Sequence, residues 1–271
     1  MNIEVLISAM YQKNLDIIKQ CHIESDVLII NQCDEENYKE KVTTFGTVRM
    51  ISTKERGLSK SRNMALENAK GDICLLCDDD VIYVNDYVRI VTKAFQCIPN
   101  ADVIVFNINR HNANVRSQEK IFGSIKRIPF YKTYGSVHIA FKKTSITENR
   151  LRFNELFGTG SGLYDMAEDS LFFRDIHRKK LKAYLYPAIL ADVSFEESSW
   201  FHGYNQKYFY DVGAFLSAAY PRSKHIMKWY YPYRCRDISY LSSKDIIHNI
   251  NQGIKGYHGR LNYNSYFGIE R

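Results

Sequence analysis

A short apolar run closed by three consecutive carboxylates, Gly71-Asp72-Ile73-Cys74-Leu75-Leu76-Cys77-Asp78-Asp79-Asp80, is the feature that most limits what this chain can become. Five apolar or thiol residues between turn signals form a buried strand, of the kind found in parallel sheets covered on both faces. Its C-terminal end carries Asp78, Asp79 and Asp80, and in an open α/β sheet that end is where ligands bind. Three adjacent carboxylates repel one another, so they destabilise the chain unless a cation neutralises them. A hard divalent ion with oxygen ligands suits the set and commonly bridges onward to a phosphorylated substrate. An isolated Asp-Asp-Asp is more often a solvated acidic turn; here the neighbouring segments argue for the ligand site.

Apolar runs at 3–7, 27–30, 48–51 and 101–107 read as further strands, and Leu15, Ile17, Ile18 and Cys21 suit a helix packed on a sheet. Met64, Ala65, Leu66 and Ala69 recur at helical spacing, with Ser59 or Ser61 as N-cap and Gly71 as the stop. That helix carries Arg62 in its first turn beside unpaired N–H groups, where anions bind. A further helix, capped by Asn85, turns Val88, Val91, Ala94 and Phe95 inward. Repeated strand–helix alternation over residues 1–107 predicts an α/β fold with a doubly wound, mostly parallel sheet and a nucleotide-binding half.

Residues 108–135 are polar and basic without a clear period and read as irregular, whereas 136–142 are strand-like. The Gly-rich stretch Phe157-Gly158-Thr159-Gly160-Ser161-Gly162 leads to Glu168-Asp169, and Leu171, Phe172, Ile176 and Leu181 mark an amphipathic helix opened by those two acids. Acids in a first turn complement the helix dipole, which by itself accounts for them. Residues 182–186 form another strand.

With 45% hydrophobic and 25% charged residues in 271, the composition is that of an ordinary globular protein. No apolar run reaches about 18 residues and no signal-peptide pattern opens the chain, which places it in the cytoplasm without a spanning helix. Six cysteines show no disulfide framework; Cys74 and Cys77 lie within one strand and point to opposite faces, so packing is favoured over zinc or redox chemistry. The formal net charge is +7, and residues 221–271, with nine Lys and Arg against three Asp and Glu, carry +6 of it. There Lys228-Trp229-Tyr230-Tyr231-Pro232-Tyr233-Arg234-Cys235-Arg236 mixes cations with aromatics, a combination suited to an anionic lipid surface. The plainer reading is a solvated face over core aromatics.

Gly57-Leu58-Ser59-x-x-Arg62-Asn63, then Gly71-Asp72 opening the strand into Asp78-Asp79-Asp80, then Glu168-Asp169 about ninety residues on, together resemble the family 2 inverting glycosyltransferases of GT-A fold over residues 1–195. Residues 196–220 resemble a branch of that family found in bacterial O-antigen and capsule gene sets. The resemblance implies a GT-A domain at 1–195, with a nucleotide-sugar-binding half (1–107) and an acceptor half (108–195). A C-terminal helical, basic-aromatic extension follows at 196–271. It implies that Asp80 and Asp78 hold Mn²⁺ or Mg²⁺, that Asp78 and Asp79 contact the nucleotide, and that Arg62 faces it. The plain alternative for Arg62 is a structural salt bridge to one of the aspartates. Ala9 and Met10 fall where the family's first loop touches the base. Asn31-Gln32 stands where the family usually presents a carboxylate to uracil, and the Gln32 amide can bond a uracil edge instead. Val81 replaces a further Asp found in many members.

Asp169 matches the family's base, with Glu168 beside it on the acceptor. The implied reaction moves a hexose, galactose or glucose, from a UDP-sugar to a glycan hydroxyl with a β-linkage, the acceptor being a lipid-diphosphate-linked sugar of O-antigen or capsule synthesis. Peripheral contact with the cytoplasmic face of the inner membrane would follow. Two other classes compete. A sugar-phosphate nucleotidyltransferase would want a Gly-rich basic loop after strand one, where Ser8-Ala9-Met10-Tyr11 stands. A nucleic-acid binder would leave the acid clusters unexplained, because clustered acids repel phosphate, so no nucleic-acid partner is expected.

Overall fold

Alternation along the first strand, β1 (Ile3–Met10), sets the layers: Ile3, Val5, Ile7 and Ala9 enter one apolar core and Leu6 the other. The computed structural model describes residues 1–111, 121–194, 201 and 203–269, so Glu196 to Trp200 and His202 of the segment resembling the O-antigen branch lie outside the described residues. The chain divides into two compact units, Met1–Phe153 with Phe172–Glu197, and Asn154–Leu171 with Ser198–Arg271.

In the first unit, β1 is followed by the single turn α1 (Ile17–Gln20), β2 (Asp26–Gln32), β3 (Asn37–Val42) and β4 (Thr47–Thr53). Then come α2 (Leu58–Asn68), β5 (Ile73–Asp78), β6 (Val81–Tyr83), α3 (Tyr87–Cys97) and β7 (Val103–His111). After β8 (Lys126–Arg127), β9 (Ile139–Lys142) and α4 (Lys143–Glu148), helix α5 (Glu168–Arg178), whose residues up to Leu171 belong to the second unit, leads into the long β10 (Ala183–Ser194). One sheet runs in the order β3-β4-β2-β1-β5-β9-β7-β10-β6, with β8 on β10. It is parallel through β4-β2-β1-β5 and between β7 and β10, and β9 enters antiparallel to both of its neighbours. The chain leaves β1 towards β2 on one side and later returns to β5 on the other. The C-terminal ends of β1 and β5 therefore flank the switch in strand order, and the register sets Ser8 opposite Asp78. On β5, Cys77 faces one core and Cys74 the other, both buried and free, in keeping with packing.

Several local expectations are corrected. The polar stretch after β2 contains the antiparallel edge strand β3, whose residues are all exposed. Helix α2 is capped by Gly57, not by Ser59 or Ser61, which are buried, and Arg62 lies one turn further in. The helix ends at Asn68, before Gly71, whose N–H donates to Glu4 Oε2 at 2.8 Å. Asp86, in the left-handed region, precedes α3 in place of Asn85. Residues 108–111, read as irregular, continue β7.

The second unit is helical: α6 (Gln206–Ala219), α7 (Lys224–Met227), α8 (Tyr230–Cys235), α9 (Ser243–Gly259) and α10 (Tyr263–Phe267). Its core joins Phe209, Val212 and Leu216 of α6 to Ile246, Ile250 and Ile254 of α9. The two helices cross so closely that a Cβ on Gly253 would collide with the Tyr210 carbonyl, and one on Gly213 with that of Ile250. On α7, α8 and the two residues joining them, Ile226, Trp229 and Tyr233 are 74%, 64% and 79% exposed, with Lys228 Nζ 5.6 Å from the Trp229 ring. Among the described residues no helix is long and apolar enough to cross a membrane.

Candidate active site

Strand β5 delivers the acids where its buried apolar run ends. Asp78 is partly buried and accepts from Arg62 Nη2 through both oxygens, at 2.9 and 3.0 Å. Arg62 is itself buried, with its guanidinium 5.3 Å from the Phe153 ring, which stacks on Phe172 at 4.1 Å. Asn63 pins that segment by a reciprocal pair: its Nδ2 donates to the Phe153 carbonyl at 3.0 Å and its Oδ1 accepts from the Phe153 N–H at 2.7 Å. Ser61 Oγ donates to Ser8 Oγ at 2.9 Å and so ties α2 to β1. Ser59, Ser61, Arg62 and Asn63 are therefore all buried, with Ser61, Arg62 and Asn63 each holding a different strand or segment.

Asp79 and Asp80 are less well matched. Partial desolvation and the neighbouring Asp78 charge push Asp80 up to about 6, and the same causes raise Asp79. Both remain exposed at the surface, so solvent softens the penalty. Among the described residues no three His, Cys, Asp or Glu side chains already converge as a metal cluster. The donor set still fits a hard cation: oxygen ligands only, one acid matched by Arg62, and two whose ionised forms are disfavoured until a positive charge arrives.

The loops beside these acids are fixed by amides. Asn31 at the end of β2 accepts the Gln12 N–H at 2.8 Å and donates to the Gln12 carbonyl at 2.9 Å. Gln32 is buried, and its Oε1 accepts the Gly57 N–H at 2.8 Å. Gly57 has φ +120°, a conformation an L side chain resists, so the helix-opening glycine is required by the backbone. Ala9 is 2% exposed with its side chain in the core, so only its backbone can meet a ligand, whereas Met10 is 48% exposed. Sequence reasoning missed the neighbours: Arg56 bonds Asp34 Oδ1 at 2.6 Å and lies 5.5 Å from the Tyr11 ring. Asp34, two residues past Gln32, puts a carboxylate close to the strand end after all, though nothing in the spacing separated it from an ordinary loop acid.

In the second unit, Glu168 and Asp169 open α5 and are half-buried. The first helical bond runs from the Leu171 N–H to the Ala167 carbonyl at 3.0 Å, and Ala167 has φ +79°, a conformation that costs a non-glycine residue about 1–3 kcal/mol. Just before it, Asp165 pairs with Lys207, which also bonds Asp211 Oδ2 at 3.1 Å. The Asp165 N–H donates to the same Asp211 oxygen at 3.3 Å. Lys207 and Asp211 stand one turn apart on α6, a spacing visible in the sequence, but their partner Asp165 lies some forty residues earlier.

Comparison with known proteins follows the same lines. The family model described as glycosyl transferase family 2 matches residues 12–162, more than half of the chain, and spans Arg62 and Asp78–Asp80 but stops before Glu168. The crystal structure of S. aureus TarS 1–349 in complex with UDP-GlcNAc superposes with a TM-score of 0.62 at 13% identity, covering 97% of this chain and 93% of that one. The same fragment in complex with UDP gives 0.59 at 14% identity, with coverage of 97% and 93%. These likenesses show a shared fold over nearly the whole chain. Comparison with curated protein sequences gives no match.

Proposed function

The chain belongs to glycosyl transferase family 2, and on that premise we propose that it moves a hexose, galactose or glucose, from a UDP-sugar to a hydroxyl of a growing glycan with inversion. The observation that carries the reading is the acid cluster at the switch in strand order, where Asp78 is locked to Arg62 and the ionised forms of Asp79 and Asp80 are disfavoured. That is the charge pattern of a site awaiting a cation and a diphosphate. That TarS binds UDP-GlcNAc and UDP on the same fold supports a UDP-sugar donor.

In this reading Asp80, with Asp78 and Asp79 beside it, would hold Mn²⁺ or Mg²⁺, which when bound supplies Lewis-acid stabilisation of the departing diphosphate. Arg62 orients Asp78, and the backbone at Ala9 and the Met10 and Gln32 positions border the base. Asp169 takes the proton from the acceptor hydroxyl as that oxygen bonds the anomeric carbon. The carbon–oxygen bond to the diphosphate breaks and its electron pair leaves with UDP. A single displacement inverts the anomeric carbon, so an α-linked donor gives a β-linked product. The exposed Trp229 and Tyr233 beside Lys228 support a membrane-surface placement and a lipid-diphosphate-linked acceptor of O-antigen or capsule type.

A screen of UDP-sugars against a GlcNAc-diphosphate-lipid acceptor, with Mn²⁺ and with EDTA, tests the proposal. Metal-dependent UDP release coupled to a β-linked product is expected; full transfer in EDTA contradicts it.

A further inference from the structure

Asp211 stands in the middle of α6, 2% exposed, and lines a cavity of about 30 Å³ together with Asp165, Phe201, Asn205, Lys207 and Tyr208. Among the described residues both donors that reach it, Lys207 Nζ and the Asp165 N–H, go to Oδ2, while Oδ1 is buried with no hydrogen-bond partner. A buried carboxylate oxygen left unpaired is costly and uncommon, and the group that satisfies it must be a donor. We propose that this cavity is a subsite for one hydroxyl of the neutral acceptor sugar, which donates to Asp211 Oδ1 while Lys207 holds the carboxylate in place.

Three features select that ligand. About 30 Å³ takes one or two water-sized groups, which suits a hydroxyl or hydroxymethyl and not a whole sugar ring. Two carboxylates against one ammonium leave the pocket acidic, so phosphate and carboxylate ligands are repelled and the diphosphate of the donor is excluded. Tyr208 and Phe201 add aromatic walls of the sort that border sugar C–H faces. Burial pushes Asp211 up to about 6 against the pull of Lys207, so at neutral pH the group is ionised and purely an acceptor. Asp165 of the pocket wall lies three residues before Glu168, so wall and acid-bearing helix start are adjacent along the chain. A hydroxyl anchored there belongs to the molecule whose proton the helix-start acid would take, and in that sense the inference rests on the transferase reading.

Saturation-transfer NMR tests it on the full chain saturated with UDP and Mn²⁺, with methyl β-galactoside, methyl β-glucoside and glucose 1-phosphate as probes. The wild type should transfer saturation to at least one of the neutral glycosides and not to the phosphate. Transfer should fall at least about fivefold in Asp211→Asn, which keeps the shape, and in Lys207→Met, which removes the ammonium that holds the carboxylate in place and ionised; melting curves confirm that each variant is folded. Equal transfer in wild type and both variants, no transfer in the wild type, or preference for glucose 1-phosphate overturns the subsite. Calorimetric titration of UDP on the same samples separates the two claims, because absent UDP binding by the wild type sinks the transferase reading whatever the sugar signal.

Discussion

The two carboxylate groups of this protein are stabilised in opposite ways. At the end of β5 one acid is matched by a buried arginine and the next two are open to solvent with their ionised forms disfavoured, so the group is incomplete in charge. At the start of α5 and on α6, Lys207 neutralises one of two acids and Asp211 keeps an oxygen with no donor, so that group is incomplete in hydrogen bonding. The first calls for a cation with an anionic ligand, the second for a neutral donor such as a sugar hydroxyl.

The largest effect is expected at the proposed base. Asp169→Asn should lower kcat by about 10²–10⁴-fold, while Glu168→Gln, which projects about 100° away on the helix, should cost far less. Steady-state kinetics of both variants decide it, and the reverse ranking would reassign the base to Glu168.

Next in size, Asp80→Ala should cut metal-dependent turnover by at least about 10²-fold, as expected from losing several kcal/mol of charge stabilisation. It should also raise the melting temperature slightly without metal, since it removes a repelled charge. The pH dependence follows. Asp80 titrates above its ordinary value, so the stability linked to its protonated form is complete below about 4 and is lost as pH rises through about 6. Mn²⁺ offsets that loss, and its stabilising increment in thermal melts should be larger at pH 7.5 than at pH 5.5.

Arg62 sharpens the contrast from the other side. Arg62→Ala leaves Asp78 partly buried without its partner and removes packing on Phe153, so a loss of up to about 3 kcal/mol is expected in chemical denaturation. UDP affinity should weaken about tenfold. The cost would be smaller if Arg62 served the ligand alone.

How much of this could be read from the sequence differs between the regions for physical reasons. The switch-point acids and Arg62 were legible because strand burial, helix spacing and a short motif are all local. Strand β3 was not, because Asn37–Val42 is an exposed, charged edge with no apolar alternation, as edge strands that resist aggregation are. The role of Ser61 was misread because its hydroxyl answers to Ser8 on a distant strand and not to its own helix. Glu168-Asp169 was recognisable as a helix start, but the Asp165–Lys207–Asp211 network behind it joins segments far apart in the chain, and no period in either announces the other.

The smallest expected effect concerns the basic-aromatic run from Lys228 to Arg236. Neutralising Lys228, Arg234 or Arg236 should weaken binding to anionic vesicles by about 1 kcal/mol each, with the effect fading at high salt. Equal co-sedimentation with neutral and anionic vesicles would reject an electrostatic attachment.

The division of labour itself is tested most directly by calorimetric titration of UDP in Mn²⁺ against the wild type, Asp80→Ala and Asp169→Asn. The wild type and Asp169→Asn should bind UDP alike, and Asp80→Ala should lose most of the affinity. Undiminished binding by Asp80→Ala, or a matching loss in Asp169→Asn, would contradict the assignment of the donor to one carboxylate group and the acceptor to the other.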